Sequence, residues 1–285
     1  MMMKKKYRFR RLIIQIIFFF LQNPLLGNFF SGKIYQGRLK MVCTPGLNCH
    51  SCPAAVTSCP LGAMQFFLAT KQSVSLWVMG FVVVVGAFFG RLVCGYVCPM
   101  GLLQDLLYRI KTPKRKMVLR WARYLKYLVL LLFVILLPLF FTHELSGVGE
   151  TWFCKYICPS GIVFGAVPLF ISHEFLRGMA GVLLVFNVFL TLVLLLSSVV
   201  VYRFFCRVFC PLGAIYSFFA RFSFIRMTHD AEKCNSSSCN RCHEACLLAI
   251  EPRKTPNDPE CVRCASCIDS CPNAALRYKS GLHHP

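Results

Sequence analysis

Two stretches, Arg91-Leu-Val-Cys94-Gly-Tyr-Val-Cys98-Pro-Met-Gly101 and Arg203-Phe-Phe-Cys206-Arg-Val-Phe-Cys210-Pro-Leu-Gly213, carry the same Arg-x2-Cys-x3-Cys-Pro-x-Gly pattern. Each follows a long apolar run and precedes an amphipathic one, Leu102–Ile110 and Ala214–Phe222. A second pair of matching turns, Cys59-Pro-Leu-Gly62 and Cys158-Pro-Ser-Gly161, falls between apolar runs. The chain therefore reads as one unit written twice, and a pseudo-twofold axis would bring equivalent motifs of the two halves together.

Working outward, the apolar runs decide the solvent. Of 285 residues 56% are hydrophobic and 15% charged, against about a quarter charged in a soluble domain. Spans are predicted at 12–30 (kinked by Pro24), 74–93, 127–141 and 179–202. Lys4, Lys5, Lys6, Arg8, Arg10 and Arg11 precede the first, and eight basic residues without an acid fill Arg109–Lys126. Both stretches are expected on the cytoplasmic side, which puts both termini inside and Trp77 and Trp152 at the outer interface. No small-residue cleavage site follows the first apolar run, so it reads as a retained anchor. The tail from Ser223 has 8 basic and 7 acidic residues, leaving 24 against 4 for the rest. The basicity belongs to lipid contact and topology, and the tail lacks the basic face that nucleic acid requires.

That tail holds Cys261-x2-Cys264-x2-Cys267-x3-Cys271-Pro272 and, upstream, Cys234-x4-Cys239-x2-Cys242-x3-Cys246. The first is the bacterial ferredoxin run, whose fourth cysteine serves the other cluster of a pair. Crosswise pairing is expected: Cys234, Cys239, Cys242 and Cys271 on one 4Fe–4S cluster, Cys246, Cys261, Cys264 and Cys267 on the other. Zinc sites use separated cysteine pairs instead. The upstream run departs from the pattern in its longer first gap and in Leu247, which stands where a proline is usual.

Cys94, Cys98, Cys206 and Cys210, two from each half, make a full ligand set for one more cluster at the inner interface. A redox-active dithiol or disulfide is the alternative. Cys43, Cys49, Cys52, Cys59, Cys154 and Cys158 lie on the outer side, more than one cluster requires. Arg91 and Arg203 would either offset cluster charge or snorkel to headgroups. His50 reads as a solvated loop residue. His143, Glu144, Glu150, His173 and Glu174 could handle quinol protons or be ordinary loop residues. No span has a central histidine for haem, Gly147-x-Gly149 is no dinucleotide fingerprint, and no phosphate-binding loop is present.

Over about Val74–Pro272 the chain resembles the NapH/MauN family of polyferredoxin-like membrane proteins. The resemblance rests on two Cys-x3-Cys-Pro motifs at span ends and a C-terminal two-cluster tail. It implies four spans, 4Fe–4S clusters on the tail cysteines, and electron movement between quinol or cytosolic donors and periplasmic redox enzymes. The expected architecture is an all-α membrane protein of four transmembrane helices in two repeated halves, with a small ferredoxin-like α+β cytoplasmic domain. Its segments are 1–30, 31–73, 74–126, 127–222 and 223–285, set in the cytoplasmic membrane. The expected function is electron relay between a cytosolic ferredoxin or similar donor and an outward-facing flavin, haem or quinone protein. A quinol dehydrogenase subunit, or a non-enzymatic iron–sulfur scaffold, sensor or maturation factor, are the rivals. The extra outer cysteines, outside the family's plainest form, speak for added outer redox centres.

Overall fold

The computed structural model describes residues 6–70, 75–116, 121–141, 149–178, 181–234 and 239–281, with all eighteen cysteines among them and none in a disulfide. His143, Glu144 and Gly147 lie outside the described residues. The described chain is mostly helical, with one two-stranded sheet.

Two helices are long and apolar enough to cross a membrane, Trp121–Phe140 and Val182–Val200. Val182–Val200 turns Val185, Phe189 and Leu196 outward while Asn187, Thr191 and Ser198 are buried. Polar groups inside and apolar ones outside suit a bilayer solvent, where every buried polar group must find a protein partner. Asn187 and Ser198 do, donating to the Lys155 carbonyl at 2.9 Å and the Leu194 carbonyl at 2.8 Å. The first helix widens to a π segment at Leu130–Leu136, just ahead of Pro138. The same happens at Gly161–Ala166, ahead of Pro168. A proline removes the N–H that would close the preceding turn, and the wider register absorbs the loss.

The other two expected spans are shorter helices. Lys6–Gln22 has 17 residues and stops two residues before Pro24, so the proline terminates the helix instead of kinking it. Leu76–Phe89 has 14 residues and ends at Gly90, whose φ of +53° is a left-handed turn suited to glycine. At 1.5 Å per residue this helix reaches about 21 Å, less than the hydrocarbon thickness. Pro60–Ala69 packs beside it as a further short apolar helix.

The two halves interlock. The helix Pro99–Leu107 of the first half packs on Val182–Val200 of the second, and Pro211–Phe219 of the second packs on Leu76–Phe89 of the first. Where they meet, Cys59, Cys94, Cys98, Cys158, Cys206 and Cys210 share one buried core with Leu61, Phe153, Phe205 and Tyr216.

The tail opens with β1 (Ile225–His229), antiparallel to β2 (Leu276–Ser280) with Met227 opposite Tyr278. It is docked on the membrane part. Phe224 N–H donates to the Ala87 carbonyl at 2.8 Å. Arg263 donates to the Phe89 carbonyl at 2.7 Å, and Lys6–Gln22 contacts the tail helix Ser266–Asp269.

Candidate metal centres

The local rule is the Cys-Pro turn. Cys59, Cys98 and Cys210 each have extended backbone and stand as the N-cap of a helix whose first residue is the proline. Proline's fixed φ suits that first position, and its missing N–H costs nothing there. Each sulfur is thereby held where free N–H groups of the first turn point, a place that favours negative charge. Gly213 N–H donates to Cys210 Sγ at 3.3 Å in this way.

Cys94, Cys98, Cys206 and Cys210 form the central quartet, all buried in one core. Gln104 Nε2 donates to Cys206 Sγ at 3.0 Å, and Leu47 N–H to Cys98 Sγ at 3.4 Å. Arg91 and Arg203 do not snorkel, for neither has any exposed surface. Each reaches into the opposite half: Arg91 donates to the Cys206 carbonyl at 3.2 Å and Arg203 to the Cys94 carbonyl at 2.6 Å. Asp105 pairs with Arg203 at 2.6 Å and Arg11 at 2.9 Å. Glu260 pairs with Arg91 at 2.7 Å and with Lys126. Burial alone would raise the Glu260 pKa, but Arg91 and then Lys126 hold it down at about 2. Lys126, expected in the basic loop, is a fully buried helix residue. Arg203 has a left-handed φ of +53°, a strained state for a non-glycine residue that its Asp105 bonds keep in place.

A second set of cysteines, Cys43, Cys49, Cys59, Cys154 and Cys158, lines a cavity of about 700 Å³. Gln65 Nε2 donates to Cys154 Sγ at 3.3 Å. Cys49 fills a gap in the repeat: four residues before Cys59 stands Ala55, where the other half has Cys154 four before Cys158. A Cβ on Gly165 would lie 3.4 Å from the Cys49 sulfur, so that glycine leaves it room. Cys52 is fully buried beside Ala54 and Ala55, with Cys49 packed against the same cluster, and its sulfur lies 3.7 Å from Asn23 Oδ1. Cys43 forms an isolated bridge with Ser58. His50 is exposed on the cavity rim. Glu150 is paired with Lys155 at 2.6 Å and His173 lies 3.5 Å from the Gly32 carbonyl, so the described members of the expected proton-handling group are not gathered.

Sets expected at opposite interfaces in fact adjoin. The segment carrying Cys43–Cys59 folds back until Gly46 lies on Cys98, where a Cβ would stand 2.8 Å from the Cys98 Cα. Tyr216 shares one buried core with Cys59, Cys94, Cys98 and Cys210.

In the tail, Cys234, Cys239, Cys242 and Cys271 line one cavity. Cys246, Cys261, Cys264 and Cys267 line another, with Met227, Leu248 and Ile250. The loop around Cys264 turns through positive φ at Arg263 (+53°) and Ala265 (+62°). Cys242 and Cys267 share a buried cluster, with Cys267 Sγ 3.8 Å from Met227 Sδ. Gly95, beside Cys94, lies directly under the Val262 carbonyl.

Among the described residues no three His, Cys, Asp or Glu side chains close on a single metal ion. A larger thiolate-held group fits better. The donors are clustered cysteines in apolar surroundings, with N–H groups aimed at sulfur. The charges agree: among the described residues Arg11, Lys40, Arg91, Lys126, Arg203, Arg207 and Arg263 are buried, against Asp105 and Glu260 as the buried acids. Arg207 Nε and Nη1 have no partner among the described residues. Buried cations call for anions, and thiolate-ligated clusters supply them.

Sequence reasoning missed Gln65, Gln104, Asp105, Glu260 and Tyr216. The signal for the glutamines was an amide at the same offset in two Cys-Pro-x-Gly helices. For Asp105 it was a lone acid in a strongly basic half.

Fold and site together define a helical membrane protein with a docked, cysteine-rich tail built for iron–sulfur chemistry. The comparisons agree. A family model described as "4Fe-4S binding domain" matches residues 70–119 and 183–227, one stretch in each half. An uncharacterised protein of Methanocaldococcus jannaschii is 31% identical over 231 residues, 77% of this chain and 85% of that one. The ferredoxin-type protein NapH of Haemophilus influenzae is 25% identical, over 95% of this chain and 88% of its own. The methylamine utilization ferredoxin-type protein MauN of Methylobacillus flagellatus is 26% identical, over 68% and 61%. No solved structure matches. The chain belongs to the 4Fe–4S ferredoxin-type family of membrane electron-transport proteins.

Proposed function

We propose that the chain is a transmembrane electron relay holding four 4Fe–4S clusters, one on each cysteine quartet. The second quartet is then Cys49, Cys59, Cys154 and Cys158, with Cys43 and Cys52 outside the ligand set. A 4Fe–4S cluster takes up and releases single electrons at a potential set by its charge, burial and hydrogen bonds. What carries the reading is continuity. Met227 joins the two tail sets, the Val262–Gly95 contact joins the tail to the central set, and the Leu47–Cys98 contact joins that set to the last. A single hop across about 30 Å of hydrocarbon would be too slow, and quartets placed in succession shorten each step. The tail end would meet a cytosolic redox protein and the cavity end an outward-facing one. Lys6–Gln22 and Leu76–Phe89, with the broken helices beside them, complete four membrane segments with both termini inside, on the basic-residue asymmetry.

The test is iron in anaerobically purified protein. About sixteen iron atoms per chain are expected. C158S should lose about four, while C43S and C52S lose none. Iron at about half the expected level, unaffected by C158S, would confine the clusters to the tail and end the relay reading.

One observation favours a quinol-fed version. An apolar cavity of about 450 Å³ opens between Trp121–Phe140 and Val182–Val200, lined by Phe133, Trp152, Leu190 and Phe209, the last beside Cys210. Reduction of the clusters by a quinol analogue without any protein partner would select that version.

A further inference from the structure

The sixth residue after each Cys-Pro-x-Gly cysteine is Gln65, Gln104, Phe164 and Tyr216, three of them on α-helices and Phe164 in a π segment. The two glutamines behave alike. Gln104 donates to Cys206 and Gln65 to Cys154, in each case the first cysteine of the Cys-x3-Cys pair in the other half. Their amides are pinned. Gln65 Oε1 accepts from Phe153 N–H at 3.1 Å, a group that can only donate, so Nε2 must face sulfur. Gln104 Nε2 also donates to the Met100 carbonyl at 3.3 Å, a group that can only accept, which fixes the same orientation. Tyr216 is fully buried, and its hydroxyl has no partner among the described residues. It shares the core of Cys59, Cys94, Cys98 and Cys210. A buried hydroxyl without a partner is unfavourable, and native structures rarely keep one without reason.

We propose that this helix position sets redox potential: Gln65 and Gln104 by donating to cysteine sulfur in the opposite half, and Tyr216 by donating to sulfur of the group held by the central quartet. The inference rests on the relay reading. Its sign follows from charge. A reduced cluster carries one more negative charge than an oxidised one, so a donor to its sulfur stabilises the reduced state and raises the potential. The fourth position is Phe164, which cannot donate. The Cys154/Cys158 turn therefore lacks the donor that the Cys206/Cys210 turn has in Tyr216, which biases the electron toward the central quartet.

The experiment is an EPR-monitored redox titration of anaerobically purified wild type, Y216F and Q104L, with iron counted in each. Y216F removes one oxygen and keeps the ring, and no hydrogen bond among the described residues is lost. The expected result is a downward shift in the potential of one membrane cluster in both variants, with the tail clusters unmoved and the iron of Y216F at the wild-type level. Unchanged potentials in Y216F with full iron would overturn the proposal. So would loss of iron in Y216F, which would make the hydroxyl a scaffold group instead. Wild-type iron confined to the tail would instead remove the relay reading itself, so the two failures are distinct.

Discussion

Two buried carboxylates anchor this molecule. Asp105 takes bonds from Arg203, Arg11 and Gln15, and Glu260 takes them from Arg91 and Lys126. Each therefore ties segments far apart in sequence to one point. Removing one partner of a buried pair leaves an uncompensated charge, a loss of roughly 3–5 kcal/mol. Asp105→Ala should therefore be among the most destabilising single changes, because it strands two guanidinium groups at once. The check is thermal unfolding in detergent, where its midpoint should fall far below that of Lys254→Ala, whose partner Glu251 forms an exposed pair. Equal midpoints would remove Asp105 from the anchoring role.

Helices and loops show what could be read beforehand. The two tail cysteine runs were visible because their two- to four-residue gaps are local, and crosswise sharing was the expectation that the ferredoxin pattern supplied; the structure lines one cavity with Cys246, Cys261, Cys264 and Cys267 and another with Cys234, Cys239, Cys242 and Cys271. The repeat was also visible, because it is written in residue order. The fold-back of the Cys43–Cys59 segment was not. Leu47 and Cys98 are 51 residues apart, and hydropathy alone does not show that a polar, glycine-rich stretch will be buried against a helix end. For the same reason Cys49 could not be separated from Cys43 and Cys52. The span lengths misled where Pro24 and Gly90 end helices early. At the tail junction Gly95 makes the sharpest prediction: a Cβ there would collide with the Val262 carbonyl oxygen. Gly95→Ala should keep all its iron yet slow reduction of the membrane clusters from the tail side by tenfold or more. Rapid-mixing spectroscopy would show it, and a wild-type rate would mean that electrons take another route.

Taken whole, the chain is two interlocked helical halves with a cysteine-rich tail docked on them. Lys6–Gln22 touches both the Cys94 helix and the tail helix Ser266–Asp269, so it braces the tail against the membrane part alongside the Gly95–Val262 contact. In sealed vesicles loaded with an impermeant acceptor, an impermeant reductant added on the tail side should reduce that acceptor. The rate should fall to the protein-free level when the preparation carries Cys158→Ser. Transfer at an undiminished rate in that variant would show that the last quartet is not on the route.

The exchange of arginines between halves has a consequence for either half taken alone. Arg91 satisfies the backbone at Cys206, and Arg203 does the same at Cys94. Contacts that run i to j and j to i are the bonding of a twofold dimer. A single half on its own would leave its guanidinium buried without that backbone partner, which is unfavourable in lipid. Each half thus completes the other, and the symmetry breaks where Ala55 stands in the place that Cys154 holds in the second half.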